Sequence, residues 1–361
     1  MFLLGVRLDN LNLKESLEKM ASFLTDGRQH YIVLPYADFL VRAQEDADFR
    51  RILNEADLSL TDGVGPVLAS YILGKEKLKT RVMGVDLIWA LFEEFGTKNS
   101  FFFFGGQAEF GQSPAERGAK EGVAQEAAKN IWQKAPQAKI VGTLNGYVSD
   151  EEAISEINDK KPEILLAALG MPKQEKWIYD NLKKMPSVKL AIGVGGAFDF
   201  IAGRVRRAPR WVQNIGMEWL WRLFMRPNQW RKTWRSVIVF SWLIAKDKLK
   251  IKTKMTMRGS KLEEELDSLI EKIGADTNSS QKELNKTKAT ITKRLILELR
   301  DFNKSSEKYN RNILLLTSVL LIIGYSQLLV SIWMPESKEA IKWLVALIGI
   351  VVFYFMTLLK K

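Results

Sequence analysis

The sequence predicts the α/β class: a mainly parallel sheet with helical crossovers, followed by a basic helical appendage, a helical stalk and two transmembrane helices. Three observations carry the expectation for the sheet. Short apolar runs alternate with stretches of helical periodicity over residues 1–203. The runs are apolar throughout instead of alternating with polar residues, as strands buried on both faces are. Small and polar residues cluster directly after the runs, where parallel α/β sheets bind their ligands.

The elements follow in order. The opening "MFLLGVRLDNLNLKESLEKM" is not a signal peptide, because Arg7 and Asp9 interrupt its apolar run and no small-residue cleavage site follows. Strands are expected at Tyr31–Leu34, Asp57–Leu60, Ser100–Phe104, Lys139–Thr143, Glu163–Leu169 and Val188–Val194. Helices are expected near 38–54, 63–73, 84–96, 115–133, 150–159 and 172–184. Strand and helix in this alternation make a Rossmann-like domain. His30, the single histidine, reads as an ordinary surface residue.

After the strands come Asp62, Gly105-Gly106, Asn145-Gly146-Tyr147, Gly170-Met171-Pro172-Lys173-Gln174 and Gly195-Gly196. Asp62 lies in "SLTDGVGPVL", a carboxylate between two segments that both want burial. It either caps the helix after it or is a reacting group, and its position at a strand end favours the second. Asp86, ahead of an apolar helix, reads as a cap. Lys173 is either a phosphate contact or a solvated first-turn residue. Gly195-Gly196 serves close packing or ligand approach, with Asp199 a donor contact in the latter case.

Composition bounds the rest. The chain has no cysteine and one histidine, which excludes disulfides and Cys- or His-based metal sites. Its net charge is +12, and residues 204–250 hold twelve Lys/Arg against two acids. Six of the eleven tryptophans also fall between 204 and 245. Trp with Arg suits a membrane interface, although aromatic-basic interleaving also suits single-stranded nucleic acid. Leu262, Leu266, Leu269 and Ile273 mark an amphipathic stalk helix with capacity for self-association, hence a homo-oligomer.

Two uncharged runs end the chain: Ile313–Met334 of 22 residues and Trp343–Leu359 of 17. The first is long enough, at about 1.5 Å per residue, to cross a bilayer core. Basic residues flank both outer ends, so the positive-inside bias puts both termini in the cytoplasm. These spans make lipid, and not nucleic acid, the expected partner of the Trp/Arg segment. The expected organisation is a sheet domain over 1–203, an appendage over 204–248, a stalk over 249–311 and a membrane hairpin over 312–361.

Glycine pairs after strands let backbone N–H groups approach phosphate. Neither "GGQAEFG" nor "GVGGAF" is the dinucleotide fingerprint, and no phosphate-loop Lys-Ser/Thr pattern occurs. A diphosphate ligand, a candidate base and surplus arginine beside a membrane remain. Sugar transfer from a nucleotide diphosphate needs these: a carboxylate for the acceptor's proton and cations for the leaving diphosphate. No Asp-X-Asp metal cluster is read from the sequence, so arginines are expected to stand in for a metal.

"ADLSLTDGVGPVLAS", "RVMGVDL", "LGMPKQEKWI" and "IGVGGAFDFIAGRVRRAPRWVQNIGMEWLWRL" resemble the successive blocks of the WecG/TagA/CpsF glycosyltransferases, over roughly residues 3–240. The resemblance implies an inverting, metal- and cofactor-independent transfer in cell-envelope polysaccharide synthesis. It implies a UDP-N-acetylmannosamine-type donor and an undecaprenyl-diphosphate-linked N-acetylglucosamine acceptor, met at the cytoplasmic membrane face among anionic lipids. It implies that Asp62 is the general base, with Arg81 and Gln174 in the catalytic set. Arg222 and Arg231 best match the arginines of the family's basic appendage.

Relatives usually carry Thr-x-Asn after the first strand, where this chain reads Leu34-Pro35-Tyr36, so Tyr36 stands at a substrate-contacting position. The usual "HGY" reads Asn145-Gly146-Tyr147, and a stretch from Gly111 to Gly122 lengthens the connection after Gly105-Gly106. Two classes of function therefore compete. One is a membrane-anchored glycosyltransferase, favoured by Asp62, Arg81 and Gln174. The other is a catalytically silent nucleotide-sugar-binding scaffold, favoured by Leu34 and Tyr36.

Overall fold

The computed structural model describes residues 1–73, 76–106, 122–214, 218, 221 and 235–250. The chain divides into two units, Met1–Ile244 and Ala245–Lys361; of the second, only the helical residues 245–250 are described. The stalk past residue 250 and the membrane hairpin expected from the sequence lie outside the described residues, as do Arg222 and Arg231. Among the described residues, no helix is long and apolar enough to cross a membrane.

The first unit opens with a hairpin, β1 (Phe2–Leu3) and β2 (Val6–Arg7), turned through positive φ at Leu4 and Gly5. Helix α1 (Leu13–Thr25) follows, which the sequence expectations lack. Its start is nonetheless a capping box: Asn12 Oδ1 accepts from Glu15 N–H while Glu15 Oε2 accepts from Asn12 N–H, both at 2.9 Å.

Six strands form the sheet: β3 (His30–Val33), β4 (Leu58–Ser59), β5 (Phe101–Gly105), β6 (Ile140–Leu144), β7 (Ile164–Ala168) and β8 (Leu190–Gly193). Their order is β4-β3-β8-β7-β5-β6 and every pairing is parallel, as expected. Between them run α2 (Ala37–Glu45), α3 (Ala47–Glu55), α4 (Val64–Leu73), α5 (Gly84–Phe95), α6 (Val123–Lys134), α7 (Asp150–Lys160) and α8 (Lys173–Asn181). Two short helices follow, α9 (Ala197–Ile201) and α10 (Arg210–Asn214).

The single helix expected over 38–54 is two. Asp46 takes an extended conformation between them and caps α3 by accepting from Phe49 N–H at 2.9 Å. A side chain that can bond the backbone ahead of it favours such a break over continuing the helix.

The run Phe101–Phe104 shows why strands without alternation form this sheet. Phe101 stacks on Phe92 of α5 (4.2 Å) and Phe103 on Phe198 of α9 (4.9 Å). On the other face Phe104 meets Trp177 of α8 at 4.7 Å. All four rings are buried. The first face packs α1, α5, α6 and α9 into one core with alternate residues of the strands. Helices α3 and α8 cover the second face, where the Tyr31 hydroxyl donates to Ile52 C=O (2.6 Å).

His30 is the clearest departure from expectation. It is 2% exposed, stacked on Phe23 at 4.0 Å, with Asp26 at 3.0 Å from Nε2 and Asp57 at 2.9 Å from Nδ1. A ring with a flat apolar face and two polar edges fits where α1 returns to the sheet, once carboxylates meet both edges. Hydrogen bonds from Arg28 N–H and then from His30 hold the Asp26 carboxyl well below its usual range.

The first unit runs past residue 203. Arg204 makes a two-pronged pair with Glu126 of α6 (2.5 and 2.7 Å), and Ala208 and Val212 are buried. Residues Arg235–Val239 form a wide helical turn against α2, and Phe240 and Ile244 are buried.

Candidate functional site

Because all six strands are parallel, the loops that follow them emerge at one edge of the sheet. From β3 the chain steps to β4 on one side, while β8, β7, β5 and β6 lie on the other. Such a switch of direction leaves a crevice outside the carboxyl ends of the two strands that flank it, here β3 and β8.

Asp62 stands at this crevice. Its backbone N–H donates to Pro35 C=O at 2.9 Å, tying the loop after β4 to the loop after β3. Gly63, at φ +83°, lies against Tyr36: a Cβ there would sit 3.6 Å from Tyr36 Cβ. Helix α4 begins at Val64, so Gly63 and not Asp62 holds the position directly before it. Tyr36 precedes α2 and sets its ring against Phe39 at 5.0 Å, while Leu34 is buried in the core.

Arg81 arrives from a separate loop. Val82 N–H donates to Thr61 C=O (2.8 Å), which holds that loop beside Asp62. The Arg81 guanidinium in turn donates to Gln213 C=O of α10. An arginine has five donors, so this bond uses part of its capacity.

Across the crevice, Gly195 and Gly196 lead into α9, whose first turn carries Asp199. Gln174 lies beneath them, 2% exposed. Its Oε1 accepts from Gly170 N–H (3.1 Å) and Gly195 N–H (3.0 Å), and its Nε2 donates to Glu175 Oε1 (2.7 Å). Lys173, the first residue of α8, is exposed.

Two of the glycines expected to offer N–H groups to phosphate, Gly106 and Gly195, use them within the fold. Gly106 donates to Ala168 C=O at 2.9 Å, and Gly195 to Gln174. At Gly105 (φ +103°) a Cβ would lie 2.7 Å from the Ala168 backbone, so the pair permits close approach of β5 and β7. Asn145 Oδ1 accepts from Tyr147 N–H at 2.9 Å, closing a turn that folds Gly146 against Gly105 and leaves Tyr147 half exposed.

The loops after β3, β4 and β8 thus carry Tyr36, Asp62, Gly195 and Gly196, with Arg81 tied beside Thr61, Asp199 in the first turn of α9, Gln174 bonded to Gly195 and Lys173 opening α8. Asn145 and Tyr147 follow β6, five strands from β4, and so stand at the far end of the row.

Three residues enter that the sequence expectations lack as site members. Arg207 donates to Asp86 Oδ1 at 2.5 Å and lies against Met83 Sδ at 3.7 Å. Burial works against its charge, but the Asp86 hydrogen bond, with the charges of Asp86, Glu218 and Asp62, outweighs that and raises its pKa. Asp86 is therefore not a cap: Met83 precedes α5, and Asp86 sits in the first turn as a partner for arginine. The block "GRVRRAPRW" carries the signal for Arg207, but an arginine cluster does not say which member turns inward. The third is Glu175, 1% exposed, with a carboxyl raised to about 7 by burial.

An Asp-X-Asp spacing does occur, at Asp46-Ala47-Asp48, contrary to expectation. Asp46 caps α3 and pairs with Lys176 (3.0 Å), and Asp48 pairs with Arg51 (2.7 Å), so both carboxylates already face cations.

Residues 1–254 match the profile of the Glycosyl transferase WecG/TagA/CpsF family. Three relatives share the name N-acetylglucosaminyldiphosphoundecaprenol N-acetyl-beta-D-mannosaminyltransferase. That of Bacillus spizizenii is 30% identical over 212 residues, 58% of this chain and 77% of the relative. That of Bacillus subtilis is 30% identical over 224 residues, 59% and 81% respectively. A Staphylococcus aureus relative is 27% identical over 256 residues, 69% and 94%.

Proposed function

The chain belongs to the WecG/TagA/CpsF family of glycosyl transferases, and on that premise we propose that it moves an N-acetylmannosamine-type sugar from a UDP-linked donor to an undecaprenyl-diphosphate-linked N-acetylglucosamine. The names of its relatives support the donor sugar and the acceptor.

The observation that carries the reading is the seating of Asp62 at the carboxyl edge of the sheet, with Arg81 held beside it and Gly195-Gly196 across the crevice. Neighbouring strands lie about 4.8 Å apart, so the two-strand step from β4 to β8 spans about 10 Å, room for a sugar diphosphate. In the proposed reaction the acceptor hydroxyl attacks the anomeric carbon and the bond from that carbon to the UDP oxygen breaks. Asp62 takes the hydroxyl proton, and UDP leaves with its charge met by cations. Arg81 belongs to that set, with Arg222 and Arg231 of the appendage as its further members. Gln174 acts through the two glycine N–H groups it holds. Arg207, bound to Asp86, brings positive charge toward Asp62 and anchors the start of the appendage.

The sequence supports a membrane-bound form of this enzyme. The uncharged runs 313–334 and 343–359 serve as a hairpin anchor, and the Trp/Arg segment meets anionic headgroups, so that the site faces the lipid diphosphate from the cytoplasmic side.

The test is UDP release from UDP-sugars with and without a polyprenyl-diphosphate-GlcNAc acceptor. Asp62→Asn is expected to keep UDP affinity and lower turnover by about 10²–10⁴-fold, the worth of a positioned base. Unchanged turnover in a folded variant would move the base elsewhere. A second reading, a silent scaffold that binds the donor, is favoured by the burial of Leu34 where relatives carry a polar side chain. Donor binding without acceptor-dependent UDP release would select it.

A further inference from the structure

Directly under the glycine loops of the site lies a closed polar cluster. Gln174 and Glu175 are 2% and 1% exposed, in the first turn of α8. The Gln174 carboxamide is oriented from both sides. Its oxygen faces two backbone donors, Gly170 and Gly195 N–H, and its nitrogen faces the Glu175 carboxyl. Turning the amide over would set an NH₂ against two N–H groups, losing both bonds to the loops, and would set an oxygen against the Glu175 carboxylate. Glu175 Oε2, by contrast, is buried with no hydrogen-bond partner. Gly193 completes the enclosure: a Cβ there would sit 2.8 Å from Gln174 Nε2 and 3.1 Å from Glu175 Oε1.

A buried carboxyl with one orphan oxygen is a costly way to fill space between a helix and a sheet. An apolar side chain of the same size would fill it without that cost. It could not accept from Gln174, and the amide would then have nothing to hold it from below.

We propose that Glu175 is a positioning residue for the transfer reaction: it accepts from Gln174 Nε2 and so keeps Gln174 Oε1 clamped on the Gly170 and Gly195 N–H groups, fixing the loops after β7 and β8. The two loops line the side of the crevice opposite Asp62. Gln174 is thereby a relay, and Glu175 decides the direction in which its amide is polarised. The inference rests on the reading of the crevice as the donor site only for its consequence in catalysis; the clamp itself is a property of the unliganded protein.

Hydrogen exchange at the Gly170 and Gly195 amides, measured on the full chain in lipid nanodiscs at neutral pH without donor, tests it. Glu175→Met removes the acceptor at similar volume and is expected to speed exchange at both amides by about tenfold or more, the worth of one lost buried hydrogen bond. Glu175→Gln keeps a carbonyl acceptor and is expected to retain protection. Gln174→Met removes the acceptor of both amides and is expected to lose protection. The exchanged pair Gln174→Glu with Glu175→Gln reverses the polarity of the bond between them and is expected to recover it to within about threefold, less than one ordinary hydrogen bond. Wild-type protection in Glu175→Met, or an exchanged pair no better protected than Glu175→Met, overturns the proposal. Predicted exchange in a protein without transfer activity would instead overturn the function and leave the clamp standing.

Discussion

Glu175 ties pH to stability through a single carboxyl. Its native pKa is about 7 against an ordinary value of 4.5, because burial disfavours the charge more than the Gln174 bond favours it. Between those values the native protein keeps a proton that the unfolded chain has released, so stability falls as pH rises through this window. The penalty is complete above about pH 7. At about 1.4 kcal/mol per unit, its ceiling is about 3 kcal/mol. Glu175→Gln removes the charge, so its gain in unfolding free energy over the wild type should be near zero at pH 4.5 and about 1–3 kcal/mol at pH 8. Urea unfolding across that range reads the difference, and a difference independent of pH would show that Glu175 does not titrate there. Two glycines separate backbone conformation from crowding at the same scale. Gly27 and Gly105 both have positive φ, but a Cβ meets nothing within 4 Å at Gly27 and the Ala168 backbone at 2.7 Å at Gly105. Gly27→Ala should cost about 1 kcal/mol and Gly105→Ala at least about 3, by thermal or urea unfolding.

At the scale of elements, the start of the basic segment is fastened to the sheet domain by three arginines. Arg204 grips Glu126 on α6, Arg207 grips Asp86 on α5, and Arg81 reaches from its loop to Gln213 on α10. Ala208 and Val212 are buried between these links. Residues 204–214 are therefore part of the enzyme's framework, and the loop bearing Arg81 is braced from both ends. Asp86→Ala leaves a partly buried guanidinium without its carboxylate and should destabilise the protein by about 1–3 kcal/mol, the range for a hydrogen bond to a charged group. Proteolysis should then cut first within 204–214, and a variant as stable and as resistant as wild type would show that the pair fastens nothing. Periodicity and apolar content made the six sheet strands legible to within a few residues. The hairpin β1–β2 and helix α1 were not, because two-residue strands carry no period, and the opening stretch that holds the Asn12–Glu15 capping box was read only for a signal peptide. The break at Asp46 was hidden for another reason: apolar residues continue at helical spacing on both sides of it.

For the whole molecule, anchoring and positioning are separable. The hairpin is proposed to anchor, and the Trp/Arg segment to hold the crevice over the lipid diphosphate. Removing residues 312–361 should leave a protein that binds anionic vesicles at low salt and releases them as salt rises, since screening weakens surface attraction. It should retain transfer to a short-chain acceptor, whereas Arg222→Ala with Arg231→Ala in the same truncated chain should lose it. Vesicle binding indifferent to salt would argue against a headgroup role for the segment. Equal transfer by both proteins would pass the leaving-group role to Arg81. Truncation from residue 204 would be uninformative, because Phe240 and Ile244 are buried in the first unit and their removal would open its core.

By itself the sequence determined which segments become the six strands of the parallel sheet, which of them are followed by glycine, and which carboxylate follows the second of them, for these depend on residues near one another in the chain. It also determined the family blocks, where Asp62, Arg81 and Gln174 stand in order. Only the tertiary structure decided which groups meet. His30 reads as a surface residue until α1 and β3 bring Asp26 and Asp57 to its two edges. Asp86 reads as a cap until Arg207, 121 positions later, donates to it. Gly106 and Gly195 read as phosphate donors until β7 and α8 claim their N–H groups. The physical reason is common to all three. Polar groups taken out of water must be paired, and the partner is chosen by the strand order β4-β3-β8-β7-β5-β6, which no local pattern of residues encodes.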